Sequence, residues 1–179
     1  MLGIQQTLGR AVLRRNTKKL SRKRFIHNLD TAKSVGVVFS PGNQQDLNNV
    51  KQFLGYLINL GIKVIPLAFI DNKRIMPLII TEKNINCVTP KDFNWFHKPL
   101  SPVLKNFIHT EFDILINLCL KNSLPVNFIV GQSRASLKTG KFFENDSFCD
   151  LMIDIKDSND LSLLIENTSH YLSVINNSN

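Results

Sequence analysis

Before Asp30 the chain has no acidic residue. A stretch without carboxylates cannot neutralise its own cations, and this one carries Arg10, Arg14, Arg15, Lys18, Lys19, Arg22, Lys23 and Arg24. Cysteine is scarce too: Cys87, Cys119 and Cys149 lie far apart. With no CxxC and no Cys/His cluster, neither a zinc site nor a disulfide framework is encoded. The three thiols suit a reducing compartment and small core positions. No apolar run is long enough for a membrane span. The start does not read as a secretory signal, because its basic residues follow the apolar ones instead of preceding them; its acid-free, arginine-bearing character is shared with organellar transit peptides. The chain also lacks a P-loop, a three-glycine dinucleotide fingerprint, G-x-S-x-G and HExxH. His27, His97, His109 and His170 fall in separate segments with no pairing spacing. The expectation is a protein without catalytic residues, cofactor or metal.

What is present is a cationic head on a neutral body. The eight early basic residues equal the whole formal surplus of +8. At 179 residues, with 43% hydrophobic and 20% charged residues, the chain as a whole is long and apolar enough for one globular core. Residues 1–28 read as a basic helical arm, 29–175 as the folded domain and 176–179 as a frayed tail.

From Ser34 onward strands and helices alternate. Val35 to Phe39 is continuously apolar, as in strands buried on both faces of a parallel sheet. Leu47, Val50, Phe53, Leu54, Leu57, Ile58 and Leu60 recur at helical spacing, and Gly61 ends that helix. Ile62 to Ile70 gives a second strand, where Pro66 predicts an edge or a bulge. A short strand is expected around Leu78–Ile80, followed by a turn-rich loop. Ser101-Pro102 caps a helix; Phe112 to Leu120 is a buried strand. Val126–Ser133 reads as helix, Ser136–Phe142 as extended, Leu151–Ile155 as strand, and Asp160 caps a last helix to about Ile175. The predicted fold is a single three-layer α/β domain, Rossmann-like or flavodoxin-like, with a mostly parallel sheet and a basic N-terminal helix.

Ligands of such sheets bind beyond the carboxyl ends of the strands. Gly42 and Asn43 in the turn after the first strand, and Lys121 and Asn122 after the Phe112 strand, form a loop-edge candidate. The alternative for Gly42 and Asn43 is an ordinary turn and helix cap. Asp154, Lys156 and Asp157 make a third loop at that edge. Asp113 and Asp150 start strands and so lie at the opposite end. Phe93, Trp95, Phe96 and Lys98, around the only tryptophan, form either a stacking or partner surface or an apolar anchor for an irregular connection.

In the head, Ile4, Leu8, Ala11 and Val12 share one helix face. Arg15, Lys18, Lys19 and Arg22 extend it if the helix continues, while Leu2, Leu13 and Leu20 form a thinner stripe suited to docking either on the body or on a partner. The leading expectation is RNA or a ribonucleoprotein such as the ribosome, met by the eight basic residues at phosphates. The alternative is an anionic membrane surface, with Leu2, Ile4 and Leu8 inserted and the cations at headgroups. A third reading is a reduced nucleotide- or sugar-phosphate-binding domain.

Several segments also carry a resemblance. They are the basic opening helix, Ala32 to Phe39, the run Asp92-Phe93-Asn94-Trp95-Phe96-His97-Lys98-Pro99, Phe112 to Leu118, Asp150 to Asp154, and Tyr171-Leu172. Together they resemble an uncharacterised family of short proteins from the Bacteroidetes, which implies a bacterial cytoplasmic location, at the inner membrane in the membrane reading. Phe112 to Gly140, with a small-residue turn at Lys138-Thr139-Gly140, is similar to the N-terminal half of heptosyltransferase-like glycosyltransferases. That likeness implies the fold but not the activity, because the second nucleotide-sugar domain is missing from a chain of this length.

Overall fold

The computed structural model describes residues 2–144, 148–156 and 158–175. Its frame is a six-stranded, all-parallel sheet built from β1 (Ser34–Phe39), β2 (Lys63–Phe69), β3 (Asn86–Val88), β4 (Ile114–Asn117), β5 (Leu137–Lys141) and β6 (Leu151–Ile153). The strand order is β3-β2-β1-β4-β5-β6. The chain thus works outward from β1 to one edge, then returns to β1's other side and works outward again. This is the doubly wound order of dinucleotide-binding folds, with its reversal between β1 and β4.

Helices cover both faces. The core on one side joins Val35, Val37 and Phe39 to α2 (Gln44–Asn59), α3 (Met76–Ile80) and α6 (Leu161–Val174). The core on the other joins Val38 and Leu115 to α4 (Pro102–His109) and α5 (Leu124–Gln132). Alternate residues of β1 therefore feed opposite cores, and the strand has no polar face. The caps follow local chemistry. Asn43 Oδ1 accepts from Asp46 N–H, Ser101 Oγ from Leu104 N–H, and Asp160 Oδ1 from Ser162 and Leu163 N–H. Gly61 takes φ +80° after α2, a left-handed turn that favours glycine.

Two expectations need correction. Leu78–Ile80 is not a strand but the end of α3, where Pro77 sits in the first turn and Ile79 fills the core. The strand of that region is β3, inside the stretch expected to be loop. Lys138-Thr139-Gly140 is not a turn either; it lies within β5 and pairs with β4 and β6. Pro66 pairs with Val37 on the β1 side, while β3 joins β2 only from Leu67 onward. The proline is thus at a locally unpaired margin, where its missing N–H interrupts no ladder with β3. The tail 176–179 and Asp157 lie outside the described residues.

The head forms α1 (Leu2–Lys19), which packs against α5. Leu13 is buried at that contact, and Gly9 sits where a Cβ would come within 2.7 Å of the Phe96 carbonyl oxygen. Only glycine allows this approach. The docking stripe is therefore the thinner one expected from Leu13. Ile4 and Leu8, on the other stripe, face outward at 66% and 45% exposure.

Candidate functional site

The eight early cations separate into different environments. Arg15, Lys18, Lys19, Lys23 and Arg24 are exposed. Arg10 and Arg14 are exposed but already engaged in interactions of their own. Arg22 turns inward. The helix ends at Lys19, so Arg22 does not continue the helical face; its side chain is only 7% exposed. Its guanidinium donates to the carbonyls of Ala135 (3.0 Å) and Ser136 (2.8 Å) and to Asp150 Oδ1. That places one expected phosphate contact inside the fold, because a guanidinium fork can bind two carbonyls and a carboxylate at once.

Asp150 Oδ2 accepts the Lys138 backbone N–H at 3.0 Å. One carboxylate thereby links the segment after α1 to the start of β5. Asp113 does similar work one strand over, accepting from the backbone N–H groups of Lys33 (2.8 Å) and Ser34 (2.9 Å). Partial burial pushes the Asp113 pKa up, but those bonds, the Ser34 hydroxyl and nearby His27 hold it below the usual carboxylate value. These two aspartates tie the amino edge of the sheet together.

The same edge contains a residue that sequence reasoning did not select. Lys138 is 2% exposed, and its Nζ donates to the Gly131 carbonyl at 3.2 Å in the last turn of α5. Burial drives its pKa down from 10.5 to about 7, Arg22 adding to the shift and Asp150 opposing it. A cavity of about 730 Å³ opens beside it, between the end of α1, residues 20–26 and the approach to β6. Strand periodicity carried no signal for this site, since a lysine in Ser136-Leu137-Lys138-Thr139 resembles an ordinary outward-facing residue.

At the carboxyl edge a smaller crevice of about 340 Å³ lies beside the β1/β4 reversal and includes Gly42 and Lys121. The structure brings these two candidates together. The other pair has local duties: Asn43 caps α2, and Asn122 Oδ1 accepts from Asn127 Nδ2 at 2.7 Å. Asp46 Oδ2 accepts the Gly42 N–H at 2.8 Å, so a carboxylate of the chain itself occupies the donor an incoming phosphate would use. In the third loop, Asp154 Oδ1 accepts the Lys156 N–H.

The aromatic cluster divides as well. Phe93 is buried edge-on against Phe69, so it anchors the connection. Trp95 is 59% exposed and meets Phe96 edge-on, while Lys98 is exposed. The loop turns on Asn94, whose Oδ1 accepts from Phe96 and Lys98 N–H, with His97 at φ 69°. Through the Phe96 carbonyl this loop abuts α1 at Gly9.

Among the described residues no group of three or more His, Cys, Asp or Glu could hold a metal ion, and no helix is long and apolar enough to cross a membrane. No curated protein and no solved structure matched the chain. One family profile matches residues 5–175, taking in nearly all of α1, the segment after it and the whole sheet, and the chain accordingly belongs to the family of unknown function DUF6913.

Proposed function

We propose that the protein binds RNA, as a ribonucleoprotein or ribosome-associated factor, through the exposed cations of α1 and the segment following it. The observation that carries this reading is that Arg15, Lys18, Lys19, Lys23 and Arg24 are exposed on a segment held to the body by Leu13 and Arg22. A surface already ordered loses less conformational entropy on binding than a free arm does. The charge of the body is balanced, so this face alone orients the molecule toward a polyanion. Exposed Trp95, on the loop abutting α1, offers a stacking platform for an unpaired base.

Replacing Arg15, Lys18, Lys19 and Lys23 together by Gln should reduce the slope of log K against log salt by about three, since each lost phosphate contact removes about 0.7–0.9. Fluorescence anisotropy with a structured RNA measures the slope, and co-sedimentation with ribosomes measures the partner. A slope that does not move would rule out this face as the phosphate-binding surface.

Ile4 and Leu8 favour a second reading, because two large apolar residues on the outward face suit shallow insertion into an anionic bilayer. On that reading the protein floats with phosphatidylserine vesicles, and Leu8→Glu abolishes flotation. RNA binding that survives Leu8→Glu, with no flotation by the wild type, would decide for RNA.

A further inference from the structure

The cavity beside Lys138 has features that neither an RNA-binding face nor a packing defect requires. Lys138 Nζ has three donors and gives one to Gly131. Thr17 Oγ1, from the last turns of α1, is buried without a hydrogen-bond partner and lines the same cavity. Gly131 relates the two: its carbonyl holds Lys138, and a Cβ on it would lie 3.2 Å from Thr17 Oγ1 and 3.3 Å from the Phe148 ring. Phe25 and Phe148 supply apolar walls.

The charged and titratable groups that act on Lys138 come from two segments packed there. Arg22 and Arg24 approach from the segment after α1, and Asp150 and Cys149 from the approach to β6. The Asp150 carboxylate is already bonded to Arg22 and to the Lys138 backbone. Burial, foremost, pushes the Cys149 thiol up to about 12, so it adds no charge near neutrality. Cations outnumber anions, and Lys138 Nζ and Thr17 Oγ1 both keep unused donor capacity.

We propose that this cavity binds an organic phosphate of nucleotide size. Its phosphate oxygens accept from Lys138 Nζ and Thr17 Oγ1, and its body lies against Phe25 and Phe148. A phosphate dianion supplies the several acceptor lone pairs and the negative charge that this cluster lacks, and a volume of about 730 Å³ is ample for a mononucleotide. The inference does not depend on RNA binding by the outer face, since Lys138 and Thr17 are not part of that face.

The test is isothermal titration and thermal shift with adenosine 5′-monophosphate, inorganic phosphate and adenosine as probes, from pH 6.5 to 9. The monophosphate should bind more tightly than inorganic phosphate, and adenosine should not bind. Lys138→Met should weaken monophosphate binding at least tenfold, and Thr17→Val several-fold. The phosphate is already dianionic above pH 7, so wild-type affinity should then fall roughly tenfold per pH unit as Lys138 loses its proton, while Lys138→Met stays flat. The four-glutamine surface variant should retain the monophosphate response even if it loses RNA. No binding of either phosphate probe at millimolar concentration, or equal binding by Lys138→Met, overturns the proposal. So does binding that disappears only in the surface variant, which would place the phosphate on the outer face.

Discussion

Lys138→Met is expected to make the protein more stable by about 3 kcal/mol near pH 6–7, raising Tm by roughly 6–12 °C. The lysine is 2% exposed and its ammonium is displaced from 10.5 to about 7, chiefly by burial. Below its folded pKa the fold must hold a desolvated charge, at a cost of about 4–5 kcal/mol for a displacement of that size. Methionine has a similar length and no charge, and gives up only the bond to Gly131, about 1 kcal/mol. The sign of the pH dependence follows from proton binding. Between about pH 7 and 10.5 the unfolded chain holds a proton on Lys138 that the folded chain does not, so wild-type stability rises with pH across that window. The methionine variant lacks this rise, and its advantage should shrink toward zero near pH 10.5. Urea denaturation of both proteins at pH 6, 8 and 10 measures it. An unaltered or lower stability at pH 6 would mean that the ammonium is well solvated or paired, and the ligand argument would lose its electrostatic basis.

Arg22→Met should act in the opposite direction, destabilising by about 3–5 kcal/mol. The substitution keeps the apolar stem but leaves the Ala135 carbonyl without the guanidinium donor, leaves the Ser136 carbonyl only the Phe25 N–H, and removes Asp150's hydrogen-bonded guanidinium. A half-satisfied buried cluster costs more than an absent one. The neighbouring Arg24, 78% exposed and 3.9 Å from the same carboxylate, provides the control: Arg24→Gln should cost less than about 0.5 kcal/mol. Hydrogen exchange gives a local readout. The Phe25 amide donates to the Ser136 carbonyl, so residues 20–26 should lose protection in Arg22→Met before the sheet does. Equal stability losses in the two variants would show that Arg22 does not secure the segment.

These expectations mark the boundary between what could be read along the chain and what could not. The apolar runs of β1 and β4 identified a parallel sheet because a strand covered on both faces has no polar positions to alternate. Ser101, Asp160 and Gly61 marked helix ends because capping is settled within a few residues. Leu78–Ile80 was misleading: three apolar residues fit a strand as well as a helical turn, and only Ile79's place in the core and the pairing of Asn86–Val88 with β2 decide between them.

The candidate site divided along the same boundary. The acid-free head, its eight cations and the capacity of Leu13 to dock were properties of the sequence alone, since charge and periodicity are local. Tertiary structure decided which cations remain available. Arg22 looks like its neighbours in the sequence, but carbonyls more than a hundred residues away turn it inward. Lys138 becomes a buried amine through long-range packing, its Nζ held by the Gly131 carbonyl of α5 while residues 20–26 and the approach to β6 line the cavity beside it. Sequence fixes which groups a chain possesses, whereas desolvation depends on what long-range packing places around them, and at this edge of the sheet desolvation sets the chemistry.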